Sequence, residues 1–224
     1  MQKPLIAPSI LSADFADIDS ALRTIEQSGS DWVHLDVMDG HFVPPITFGA
    51  KMVQDIRKRT RLPLDAHLMV EQPDRRIKEF AEAGADYITF HPEVCVHAHR
   101  CIQTIRDSGS RPGISIVPST AISAVEELLP FIDLILVMTV NPGYGGQELL
   151  PFCLEKVKKL RKIRAELKAE FLISVDGGIG LSTASLVAEA RPDILVMGSA
   201  FFCAPNPGSL VEQMRAQYMP RSVC

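Results

Sequence analysis

Alternation constrains this chain more than any other feature. Eight short apolar runs, at 5–10, 32–37, 64–69, 87–90, 113–117, 134–140, 171–175 and 194–197, are separated by stretches with helical spacing. The plainest of these stretches carries Val157, Leu160, Ile163 and Leu167, three or four apart on one helical face. The runs begin 27, 32, 23, 26, 21, 37 and 23 residues apart. About 250 residues shared among eight strand–helix units gives ~30 per unit, so the spacing predicts an α/β fold, a (β/α)8 TIM barrel, as a single domain over residues 1–224. An open doubly wound sheet would also alternate, but its dinucleotide-binding form needs Gly-x-Gly-x-x-Gly after an early strand. The first strand leads instead into Ser9-Ile10-Leu11-Ser12-Ala13-Asp14.

Composition narrows the partners. Acidic residues outnumber basic ones 27 to 23, for a net charge of −4, which gives no broad field to attract nucleic acid or an anionic membrane. The apolar runs fall far short of the ~20 residues that span a bilayer. The start, Met1-Gln2-Lys3-Pro4-Leu5, lacks the apolar stretch and cleavage site of a secretory signal, so a cytoplasmic location is expected. Five scattered cysteines, Cys95, Cys101, Cys153, Cys203 and Cys224, contain no Cys-x-x-Cys pair. They are expected to be plain thiols in a reducing compartment. The basic run Lys156, Lys158, Lys159, Arg161, Lys162, Arg164 and Lys168 alternates with glutamates opposite an apolar stripe and reads as the solvated face of an outer helix.

In a barrel the chemistry gathers where strands end and the following loops begin. His34 and Asp36 stand two apart late in the second strand, hence on one face. His67 comes late in the third strand, and the seventh runs into Asp176. Two imidazoles and two carboxylates suit one divalent cation, and clustered buried carboxylates need a positive charge beside them. Zn²⁺, Fe²⁺, Mn²⁺ and Co²⁺ all fit such a set, and the residues do not choose among them. The pair His97 and His99 diverges if helical and is read as surface.

Glycine clusters follow the last three strands: Gly143, Tyr144, Gly145 and Gly146, then Gly177 and Gly178, then Gly198 and Ser199. Loops there often hold phosphate through backbone N–H groups that only glycine lets an anion approach, which implies a phosphorylated small-molecule substrate. No lysine stands at a strand's C-terminal end for Schiff-base chemistry, and neither Gly-x-Ser-x-Gly nor a P-loop occurs.

The string Val33-His34-Leu35-Asp36-Val37-Met38-Asp39-Gly40-His41-Phe42-Val43-Pro44 resembles the signature of ribulose-phosphate 3-epimerases. The strings at 67–70, 138–147, 175–179 and 198–200 are similar to that family's other motifs, in the same order. The resemblance implies a metal-dependent isomerase that interconverts D-ribulose 5-phosphate and D-xylulose 5-phosphate in the pentose phosphate pathway through a metal-stabilised enediolate, as a homo-oligomer. It makes His34, Asp36, His67 and Asp176 the ligands of one divalent metal, and Asp36 and Asp176 also the acid/base pair. Ser9, His67 and Asp176 would contact substrate, with Gly143, Tyr144, Gly145, Gly146, Gly177, Gly178, Gly198 and Ser199 around the phosphate. Met38, Met69 and Met138 would cap the reacting centre. The chain departs from the family pattern at Pro45, Tyr144 and Val117-Pro118, none of them a ligand. An epimerase of a related ketose phosphate such as D-allulose 6-phosphate, a metal-dependent aldolase, or a non-catalytic phosphosugar-binding barrel would use similar parts.

Overall fold

Short β-branched runs become strands wherever both faces can be covered, and here all eight do. They are β1 (Leu5–Pro8), β2 (Val33–Met38), β3 (Leu64–Met69), β4 (Tyr87–Phe90), β5 (Arg111–Ile116), β6 (Leu134–Met138), β7 (Leu172–Asp176) and β8 (Ile194–Met197). The computed structural model describes residues 3–218; Met1, Gln2 and residues 219–224, Cys224 among them, lie outside the described residues. Every neighbouring pair is parallel, in the order β1-β8-β7-β6-β5-β4-β3-β2. The seam between β1 and β2 closes through a parallel bridge from Ser9 to His34, and the Asp31 and Trp32 N–H groups both donate to the Ile6 carbonyl, at 2.9 and 3.2 Å. The sheet is therefore a barrel and not an open doubly wound sheet.

Around it lie α1 (Ile18–Gln27), α2 (Ala50–Arg57), α3 (Ile77–Glu82), α4 (Ala98–Asp107), α5 (Phe152–Leu167), α6 (Ala184–Ala190), α7 (Ser199–Phe202) and α8 (Pro207–Ala216). One connection departs from the alternation: β5 and β6 are joined by the 3-10 segments Ile122–Ala124 and Glu126–Phe131. Pro130 lies inside the second, where its missing N–H removes a helical hydrogen bond. Leu167, expected on the apolar stripe of α5, is the last residue of that helix and is 47% exposed. Lys156 is also no solvated charge. Its Nζ donates to the carbonyls of Val117, Pro118 and Thr120 at 3.0, 2.8 and 2.7 Å, tying the loop after β5 to α5.

Alternate strand residues pack outward against the helices and inward against one another. Ile6, Leu35, Ile88, Ile114, Ile135, Ile173 and Leu195 form the outer layer, while Ala7, Trp32, Tyr87, Leu134, Leu136, Ile194 and Val196 fill much of the interior. The rest of the interior is polar: His34, Asp36, Asp65, His67, Thr89, Ser115 and Ser174 are all buried. Barrel interiors are commonly filled by bulky aliphatic residues, so a core this polar marks the end of the barrel where chemistry sits.

The opposite, N-terminal end repeats one device before every even-numbered strand. Asp31, Asp86 and Asp193 each donate their N–H to a carbonyl of the preceding odd strand, Ile6, Leu64 and Ile173 respectively. Each then accepts that same residue's N–H on its carboxylate, at 2.7, 2.8 and 2.8 Å. An arginine from a helix completes each lock: Arg215 for Asp31, Arg57 for Asp86 and Arg164 for Asp193. Asp133 also donates to its neighbour's carbonyl and binds Arg106 at 2.8 Å. Its neighbour is Pro112, which has no N–H to return.

Candidate active site

Register decides which polar side chains meet. On the inner face β2 and β3 pair His34 with Asp65, Asp36 with His67, and Met38 with Met69. The histidines consequently face carboxylates across the strands: His34 Nδ1 lies 2.9 Å from Asp65 Oδ2, and His67 Nδ1 lies 3.0 Å from Asp36 Oδ1. Asp65 is itself fixed by the Thr89 hydroxyl at 2.9 Å, and the Ser9 hydroxyl donates to Asp36 Oδ2 across the closing seam. From the other side β6 pairs Met138 with Asp176 of β7. His34, Asp36, His67 and Asp176 each bring one ligand atom within 4.8 Å of the others.

The donor set fits a cation. Asp65 accepts the Nδ1 proton of His34, which makes Nε2 the nitrogen that would bind an ion in place of its own proton, the outer-sphere arrangement usual for metal-binding histidines. That Nε2 is buried, has no hydrogen-bond partner, and faces Asp36 Oδ1 at 3.3 Å. Such an atom is costly unless something electropositive occupies the gap. The charges lean the same way. Burial pushes Asp176 up, the Asp36 charge adds to it, and its carboxyl reaches about 7. Burial also works against the ionised Asp36, but the His34 and His67 imidazoles outweigh it and hold that carboxyl well below the usual range. His34, in turn, is raised well above an ordinary histidine by Asp36 and Asp65 despite its burial.

Above the cluster opens a cleft of about 680 Å³. It is lined by Ser9, Asp36, Met38, Met69, Met138 and Asp176, with Gly143, Tyr144, Gly145, Gly146, Gly177, Gly178, Gly198 and Ser199 along its other wall. His34 and His67 lie beneath it, fully buried. Each residue expected from sequence thus reaches the same end of the barrel. Gly177 and Gly178 hold φ of 116° and 67°, and a Cβ on either would fall 2.4 Å from Val140 or 2.5 Å from Leu149 N. Only glycine lets the chain turn there. Met38 and Met69 also form a small apolar cluster with Val43, packed by Leu11 and Phe42.

Ser12 carries no signal of its own in the sequence, yet a Cβ on Gly198 would sit 2.8 Å from its hydroxyl. His91 likewise escapes the sequence reading. It is completely buried, with Nε2 2.9 Å from His67 Nε2. Its position immediately after β4, matching the strand-end placement of His67, was the available signal.

A family model described as the ribulose-phosphate 3 epimerase family matches residues 5–202. The chain belongs to that family. It is 54% identical over 197 residues to the ribulose-phosphate 3-epimerase of Treponema pallidum (strain Nichols), covering 88% of this chain and 90% of that one. Identity to the ribulose-phosphate 3-epimerase of Bacillus subtilis (strain 168) is 46% over 211 residues, covering 94% and 97%. Among solved structures, KGPDC from Streptococcus mutans matches with a TM-score of 0.72 at 17% identity, over 97% of this chain and 98% of that one. That likeness concerns fold alone. Membership in the ribulose-phosphate 3 epimerase family makes the polar cluster beneath the cleft a candidate centre for epimerisation.

Proposed function

We propose that this chain, an epimerase by family, interconverts D-ribulose 5-phosphate and D-xylulose 5-phosphate, one of Asp36 and Asp176 taking the proton of carbon three on one face and the other delivering a second proton on the opposite face. One observation carries the reading: two aspartates from separate strands and two imidazoles bring ligand atoms within 4.8 Å of one another beneath a glycine-walled cleft.

His34, Asp36, His67 and Asp176 would hold one divalent ion, with zinc preferred over iron, manganese or cobalt. When bound, the ion supplies Lewis acidity that lowers the cost of negative charge on the ketose oxygens. Inversion at a carbon that becomes planar needs a proton acceptor on one face and a proton donor on the other. Asp36 on β2 and Asp176 on β7 are separated around the barrel by β1 and β8, as two such groups require. Ser9 orients Asp36 through its hydroxyl. Asp176 borders the cleft, where a bound cation would keep its carboxylate ionised while acidifying the neighbouring substrate. Met38, Met69 and Met138 exclude water from the reacting carbon, and the backbone around Gly143, Gly145, Gly146, Gly177, Gly178 and Gly198 offers N–H groups to the phosphate. Family membership also supports a homo-oligomer working in cytoplasmic pentose phosphate metabolism.

The test is to strip the protein with chelator, supply D-ribulose 5-phosphate in deuterated water, and restore the four ions singly. Xylulose 5-phosphate carrying solvent deuterium at carbon three, formed only after an ion is restored, is the expected result. Absence of turnover with every ion, faster turnover of a hexulose phosphate, or release of a shorter aldehyde would overturn the proposal.

A further inference from the structure

The geometry points to an outer arm of the candidate metal centre: Glu93 fixes the proton of His91, and His91 thereby holds His67 in the form that offers its Nδ1 lone pair to the ion. This inference rests on the metal site proposed above.

His91 follows β4 directly and its ring lies against Phe42, with centroids 4.6 Å apart. Its Nε2 is 2.9 Å from His67 Nε2. Two ring nitrogens form a hydrogen bond only when one carries the proton and the other supplies the lone pair. The other side of the His91 ring bears on the order. His91 Nδ1 is buried and makes no hydrogen bond, and the Glu93 carboxylate faces it at 3.4 Å. Glu93 is itself held in place, because its Oε1 accepts the Val117 N–H at 3.0 Å and the Thr120 hydroxyl at 2.7 Å. Lys156 secures the same loop from α5 through three carbonyls.

An ionised carboxylate only accepts. With the His91 proton on Nδ1, toward Glu93, His91 Nε2 takes the proton of His67 Nε2. His67 Nδ1 is left facing Asp36 Oδ1 at 3.0 Å as a lone pair free to bind a cation. The reverse order would turn the His67 Nδ1 proton onto Asp36, closing that nitrogen to a cation, and would set a His91 lone pair against the Glu93 carboxylate. His34 reaches the same state more directly, through Asp65. The two imidazoles are thus oriented by two separate outer arms, one of a single carboxylate and one running through a second histidine. Glu93 and His91 are positioning residues, which act on the centre through His67.

Glu93→Gln provides an isosteric test. The Gln carbonyl can keep the Val117 and Thr120 bonds, which turns its NH₂ toward His91 Nδ1 and reverses the arm. In ¹⁵N-histidine spectra of chelator-treated protein, His91 is expected to be protonated at Nδ1 in the wild type and at Nε2 in Glu93→Gln. Zinc dissociation constants, measured by competition with a chelating dye, should weaken ~10–100-fold, the usual range for loss of an outer-sphere partner. His91→Gln, whose side-chain carbonyl can accept the His67 Nε2 proton, should bind zinc more tightly than His91→Leu. Thermal midpoints of the metal-free variants should match the wild type. The inference is overturned if His91 is protonated at Nε2 in the wild type, if Glu93→Gln leaves both tautomer and affinity unchanged, or if affinity falls only in step with the metal-free midpoint. A wild-type protein that takes up no divalent ion would refute the metal site itself, while the His91 tautomer would still decide the orientation of the arm.

Discussion

At the N-terminal end of the barrel Asp31, Asp86, Asp133 and Asp193 each meet an arginine. At the C-terminal end Asp36 and Asp176 share a site with two imidazoles and, among the described residues, no arginine or lysine. The first set is neutralised by the chain itself and laces each helix to the start of a strand. The second set is buried and crowds like charges together, so that burial first and the Asp36 charge second push Asp176 up to about 7. A residue type that stabilises one end is held at the other in a state the fold alone does not satisfy. Active sites on this architecture gather at the C-terminal end, and the contrast gives an electrostatic reason: a charge left uncompensated by the fold is available to bind something else.

Four substitutions sharpen this contrast. The largest effect is expected at the upper end, where Asp36→Asn and Asp176→Asn should each reduce epimerisation by at least ~10²-fold, the lower range for loss of a general acid or base. Stability should move the other way. A carboxyl raised above its unfolded value opposes folding increasingly as pH climbs from the carboxylate range toward 7. In metal-free protein the Asp176→Asn thermal midpoint should therefore exceed that of the wild type by more at about pH 8 than at about pH 5. A variant that melts below the wild type at the higher pH would show that Asp176 is compensated after all.

At the lower end Asp193→Ala strands both Arg164 and the Ile173 N–H. Denaturant titration should show a loss of ~1–3 kcal/mol, the cost of an unsatisfied buried donor, with turnover per folded molecule unchanged. Asp133→Ala removes only a partly exposed ion pair, because Pro112 has no N–H to strand, and should cost below ~1 kcal/mol. Equal losses in the two variants would mean that the arginines, not the strand N–H groups, carry these locks.

The upper cluster was the more legible of the two ends. His34, Asp36, His67 and Asp176 fall at strand ends, and a period of two places His34 and Asp36 on one face without knowledge of any neighbour. The lower locks were invisible because each joins three distant segments, as Arg215 does in meeting Asp31 across 184 positions of sequence. Local signals also misled. Leu167 continues a helical stripe that the barrel does not cover, and Lys156 reads as one more surface charge until the loop after β5 folds back onto it. His91 looked ordinary because its partners Phe42, His67 and Glu93 gather around it only once the chain is folded.

The residues alone determined that eight strands would form, where each would begin, and which acids and imidazoles would reach the same end, since these follow from periodicity and short-range preference. The closing of β1 against β2 beside Ser9, the register that sets His34 against Asp65 and Asp36 against His67, and the burial that makes every ring proton count were decided only in three dimensions. Such features depend on pairing between segments far apart in the chain and on the exclusion of water, and neither is written at any one position.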